Sequence, residues 1–206
     1  MPASRELFRP DRLLALSDGV FGVAITLLVI DLQLPPIPTD GGDAALLRAL
    51  LATGPKLLLF AFTFMVVGMS WLGHHRKFSY VDKVDGRLLW INLFYLMALC
   101  LVPFASSVLS EHGSRYAFVL YAAVMMLVEV LSAGLSVYGL REPFLTEPDL
   151  RPNLRQDMIL SPLLAGTIFA IAAGMALGNL VTVAHWTLLT IVPVMAFFGS
   201  RTRKPA

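Results

Sequence analysis

Six long apolar runs constrain this chain more than any other feature: residues 13–34, 55–73, 88–109, 116–138, 159–178 and 180–199. Each is close to the ~20 residues that carry an α-helix across the hydrocarbon core of a bilayer. Backbone amides find no water there, so a run of this kind spans as a helix that satisfies its own hydrogen bonds. In 206 residues, six such spans leave only short loops and tails. No soluble catalytic domain fits in that remainder. The chain is 57% hydrophobic and only 15% charged, against about 25% charged in an average soluble domain. Mean hydropathy is +0.73. These values exclude a soluble globular domain, a disordered tail and a coiled coil. The expectation is an all-α integral membrane protein, not an enzyme, with residues 1–206 forming one six-helix transmembrane domain.

Breakers separate the runs. They include Pro35-Pro36-Ile37-Pro38 with Gly41-Gly42, the charged stretch 74–87, residues 111–115 and residues 142–157. The last two runs part only at Gly178-Asn179, which predicts a tight helical hairpin. The N-terminus is basic, but the run after it carries Asp18 and is too long for a signal-peptide core, so it reads as a retained span. Cys100 stands alone, which excludes an intramolecular disulfide, and its apolar setting reads as a small core hydrophobe. The net charge of +2 implies no nucleic-acid partner.

Lysine and arginine set the orientation. Arg5, Arg9, Arg12, Arg76, Lys77, Lys83, Arg87, Arg141, Arg151, Arg155, Arg201, Arg203 and Lys204 fall on one side of the spans. Only Arg48, Lys56 and Arg115 fall on the other. Both termini are therefore expected in the cytoplasm.

The first run holds the most chemistry. Asp18 lies about one and a half turns into it, and an ionisable residue inside a span is a functional suspect by default. Its two readings are snorkelling to the interface, or a buried partnership with Arg12, a histidine or backbone amides. At 100° per residue, Leu16, Gly19, Val20, Val23, Thr26, Leu27, Ile30 and Leu34 share one stripe. Asp18, Gly22, Ile25 and Val29 lie away from it. The wheel alone leaves lipid-facing surface, helix packing and pore lining all open.

Arg12-Leu-Leu-Ala-Leu16-Ser17-Asp18 resembles the R-x-x-x-F-S-D motif of the transmembrane protein 175 family, potassium-permeable channels of endolysosomes and prokaryotes. Residues 19–30 resemble the rest of that family's first helix. A second block extends the likeness: Trp71-Leu-Gly-His74-His75-Arg76-Lys77-Phe78, Leu89-Trp90-Ile91-Asn92-Leu93 and Leu101-Val102-Pro103-Phe104. The resemblance covers the first three spans, and beyond them only hydropathy and span count agree. Leu16 departs from the motif's phenylalanine, which keeps the apolar character and loses the aromatic ring.

The resemblance implies a homotetramer of six-helix subunits in the inner (plasma) membrane of a prokaryote, with the first helices lining a shared pore. It places a hydrophobic constriction on Val23, Leu27 and Ile30, and ion discrimination on the Thr26 hydroxyl. Four aliphatic side chains can close a pore by dewetting it. Nothing resembles T-V-G-Y-G, so potassium selectivity over other monovalent cations is expected to be weak to moderate. The resemblance further puts Arg12, Ser17 and Asp18 in a structural hydrogen-bond network with His74 or His75, Trp90 and Asn92. No cofactor is implied beyond permeant K⁺ ions.

Other chemistries fit these residues less well. Adjacent His74 and His75 do not share a helix face, and no third ligand is near, which argues against zinc. Residues 134–138 miss the last glycine of a G-x-S-x-G elbow. Glu129 sits mid-span and suits an interior hydrogen bond better than a proton relay. A proton-coupled secondary transporter using Asp18 and Glu129 is the alternative, although no inverted repeat is visible. Gly174-Met-Ala-Leu-Gly178 is a packing motif expected to act within the subunit. Pro103 and Pro193 are expected to kink their helices.

Overall fold

The structure is a computed structural model that describes residues 9–38, 41–141, 144 and 152–201. Arg5, Arg151, Arg203 and Lys204 of the orientation count lie outside the described residues. The helices in chain order are α1 (Asp11–Leu27), continued by a 3-10 turn (Leu28–Asp31), then α2 (Gly42–Ala52), α3 (Gly54–Phe78), α4 (Gly86–Cys100) and α5 (Val102–His112). They are followed by α6 (Arg115–Gly139), α7 (Pro152–Leu177), α8 (Val181–Leu188) and α9 (Ile191–Arg201). Taken as near-continuous stretches, they give six helices long and apolar enough to cross a membrane. The fold is all-helical.

The second stretch is longer than its apolar run. It begins at Gly42 and reaches Phe78, 37 residues in all, because α2 supplies helix formers before Pro55. The joint between α2 and α3 falls where Thr53 Oγ1 donates to Ala49 O at 2.9 Å and Pro55 brings no backbone donor. Prolines explain the other two joints as well. α4 ends at Cys100 and α5 restarts just before Pro103, while α8 stops at Leu188 and α9 begins two residues before Pro193.

Caps mark the ends that matter for position. The Asp85 carboxylate accepts from Leu88 N–H at 2.9 Å and from the Tyr138 hydroxyl at 2.7 Å, joining α4 to the end of α6. Gly113 (φ 56°) ends α5 in the left-handed region that a glycine adopts without strain. Asn179 (φ 63°) makes the turn between α7 and α8. Arg115 Nη1 donates to its side chain at 2.8 Å.

α6 forms the centre, burying Phe118, Tyr121, Met125, Val128 and Glu129. α7 packs along it, with Gly166 facing Glu129: a Cβ built there would meet the Glu129 Cβ at 3.5 Å. That corrects the expectation for Gly174 and Gly178. No neighbouring element lies within 4 Å of a Cβ at Gly174, and Gly178 meets only carbonyls of its own turn. Cys100 also departs from expectation, because it lies on the exposed side of α4 rather than in the core.

Candidate functional site

α1 packs against α3, α4 and α5 through Leu13, Ser17, Phe21, Ala24 and, in the 3-10 turn, Leu28. Their spacing of four, four, three and four residues is that of one helical face. Leu16, Thr26 and Leu27 lie outside that face and are exposed, as are Val23 (58%) and Ile30 (61%). On the other flank Asp18, Gly22 and Val29 are exposed too. The helix thus has three faces instead of two. A wheel orders residues around the axis but cannot say which arc the rest of the subunit covers.

The 3-10 turn tightens the end of α1, so Ile30 is set by about 120° per residue rather than 100°. Asp31 closes this turn, accepting from the Ser107 hydroxyl of α5 at 3.0 Å. That bond ties the end of α1 to α5.

Thr26 Oγ1 lies 3.0 Å from Gly22 O and 2.9 Å from Val23 O. Its single proton is shared back to the preceding turn. The oxygen lone pairs are thereby left for a partner outside the subunit.

Behind α1 lies a buried polar chain. Ser17 Oγ donates to Leu13 O at 2.8 Å and accepts from Asn92 Nδ2 at 3.1 Å. His74 Nε2 donates to Asn92 Oδ1 at 2.9 Å. All three residues are buried, so each bond satisfies groups that would otherwise be costly. The His74 ring stacks on Tyr95 with centroids 5.7 Å apart, and Phe21 of α1 sits edge-on to His74, also at 5.7 Å. α1 is therefore keyed to α3 and α4 by one amide, one imidazole and two aromatic rings.

Asp18 is held separately. It is exposed in the subunit, and its Oδ1 accepts from Trp71 Nε1–H at 2.8 Å. Trp71, not Trp90, makes the tryptophan contact. Trp90 lies 63% exposed on α4, its ring 6.0 Å from Phe94. His75 is exposed with its ring 6.0 Å from that of Trp71, and it is His74 that joins Asn92. Arg12 is exposed and makes no hydrogen bond or ion pair with another described residue. Trp71 lies within a turn of both His74 and His75 on α3, at i+3 and i+4, so spacing alone does not single out this tryptophan or either histidine.

A second buried cluster lies further out. Lys77 Nζ donates to Ser132 O at 2.8 Å and to Ser132 Oγ at 2.6 Å, and Ser70 Oγ donates to Glu129 Oε1 at 3.0 Å. Glu129 is thus an interior hydrogen-bond acceptor. Both clusters touch α3, which makes α3 the beam that carries α1. Among the described residues no group of three His, Cys, Asp or Glu could hold a metal ion.

A family model described as endosomal/lysosomal potassium channel TMEM175 matches residues 12–103. The chain is 36% identical over 142 residues to a potassium channel of Streptomyces collinus, covering 66% of this chain and 68% of that one. It is 34% identical over 127 residues to a potassium channel of Chamaesiphon minutus, covering 58% and 61%. Among solved structures, a lysosomal potassium-selective channel TMEM175 homolog from Chamaesiphon minutus superposes with a TM-score of 0.75 at 23% identity, over 94% of this chain and 98% of that one.

Proposed function

The chain belongs to the TMEM175 family, whose members are ion channels and not enzymes, and we propose that it forms a potassium-permeable pore shared between four copies. The α1 helices line that pore. Val23, Leu27 and Ile30 form its hydrophobic constriction, and Thr26 contributes the oxygen that favours K⁺. The basic side of the spans faces the cytoplasm, and the protein resides in the inner membrane of a prokaryote.

One observation carries this reading. The apolar stripe of α1 is exposed although the face through Leu13, Ser17, Phe21, Ala24 and Leu28 is keyed tightly into the subunit. A single subunit offers no polar path along that stripe, so a conduction route needs copies arranged around it. Rings of aliphatic side chains then gate by dewetting, and Thr26 is the hydroxyl on the stripe. Ser17, Asp18, His74, Trp71 and Asn92 act as support, holding the angle at which α1 meets the pore. His75 and Trp90 lie outside that support.

The transporter alternative is not carried forward. The relatives bear the names of channels, Glu129 is occupied by Ser70, and prolines account for the helix breaks near residues 101 and 189. The direct test is planar-bilayer recording of the purified protein under K⁺ and Na⁺ gradients. Discrete conductance steps with a reversal potential on the K⁺ side are expected. Saturable uptake driven by a proton gradient, without steps, would remove the channel reading.

A further inference from the structure

The side of the subunit that carries only Arg48, Lys56 and Arg115 holds a groove of about 430 Å³ between the start of α3, the end of α5 and α8. We propose that it binds one acyl chain of an anionic glycerophospholipid, with the phosphate on Lys56 and a headgroup hydroxyl on His185. The volume is within the range of small-ligand sites, roughly 300–1,000 Å³. Leu59, Phe62, Leu109 and Leu188 line it, with Lys56, His185 and Trp186 at its polar edge.

The cation is the telling feature. Arg48 Nε donates to Ala44 O at 3.2 Å, and Arg115 is engaged by Asn179 and the Tyr116 hydroxyl. Lys56 alone has no hydrogen bond or ion pair with another described residue. Its ammonium lies at the edge of the groove, where an anion from outside the chain can pair with it.

The histidine adds a second point of recognition. His185 Nδ1 donates to Val181 O at 2.8 Å and its ring packs on Phe118 at 4.7 Å. The ring is fixed in place with Nε2 free to accept from a hydroxyl. No acidic residue lines the groove, although Glu111 is near in sequence. Trp186 is 69% exposed at the rim, as amphipathic rings are at a membrane–water boundary. The groove is continuous with exposed Leu57, Leu58 and Leu189, so a hydrocarbon chain enters it from the bilayer without crossing water.

The test uses the full-length protein in phosphatidylcholine vesicles, with brominated-chain phosphatidylglycerol or brominated-chain phosphatidylcholine added at equal mole fraction. Comparison with Trp186→Phe isolates the Trp186 emission. Phosphatidylglycerol is expected to occupy the site about fivefold more readily, as one lysine near an anionic headgroup implies. Lys56→Gln should abolish that preference and Lys56→Arg should keep it. Equal quenching by both lipids would overturn the proposal, leaving ordinary boundary lipid. Absence of quenching by either would also overturn it, because a second copy of the chain would then cover the groove. Neither result bears on conduction, so the pore reading stands or falls separately.

Discussion

The Trp71 indole N–H reaches the Asp18 carboxylate at 2.8 Å, tying α3 to the flank of α1 just outside its buried face. The bond is charge-assisted, a class worth more than a neutral hydrogen bond. Trp71→Phe keeps the ring's bulk and removes the donor. It is expected to lower stability by about 1.5–3 kcal/mol, visible as a lower unfolding temperature in detergent. Trp90→Phe, on an exposed face, should stay within about 0.5 kcal/mol of the parent. Equal effects at the two positions would contradict this assignment.

Asn92 serves two partners, Ser17 and His74, and both are buried. Asn92→Ala orphans the His74 N–H, with a cost of about 1–3 kcal/mol. Ser17→Ala should cost less, since the serine proton already goes to its own helix at Leu13 O. Denaturant titration of both variants checks the order. A Ser17→Ala effect larger than that of Asn92→Ala would mean that the chain of bonds is misread.

The Thr26 hydroxyl shares its proton with the carbonyls of Gly22 and Val23, so the ion preference proposed for it is expected to rest on the oxygen and not on the methyl. Thr26→Ser is expected to retain the K⁺ over Na⁺ preference, and Thr26→Val, nearly the same size, to reduce it. Reversal potentials under bi-ionic conditions measure both. A Thr26→Val channel with parental preference would remove Thr26 from ion discrimination.

Gly166 faces the Glu129 Cβ across the interface of α6 and α7. Gly166→Ala meets that atom at ordinary contact distance and should be tolerated. Gly166→Leu adds volume to a packed interface and is expected to cost about 1–3 kcal/mol. The same change at Gly174, which has open space around it, should be close to neutral. Thermal unfolding of the three variants decides the matter.

Helix content and the six stretches were legible in the sequence because each run is long, apolar and bounded by proline, glycine or charge. The grouping of Val23, Leu27 and Ile30 on one stripe of α1 was legible too, since they follow the helical period, but their exposure was not. What hydropathy could not show is which side of α1 its own subunit covers, and so Asp18 is exposed on a third face. It also could not choose between two tryptophans and two histidines, because that choice depends on the rotation of α3 against α1. The contact at Gly166 carried no motif, while the G-x-x-x-G pair at 174 and 178 carried one without a partner helix among the described residues.

The central claim is that the apolar stripe of α1 lines the conduction path. Cysteines placed at Val23, Leu27 and Ile30 in a Cys100→Ser background test it most directly, with Val29→Cys on the other exposed flank as the control. Cys100 must be replaced because it is itself exposed. In single-channel recordings, a charged thiol reagent is expected to change the K⁺ current at the three stripe positions and to leave Val29→Cys unaltered. Unchanged currents at all three stripe positions, with labelling confirmed by mass, would contradict the claim.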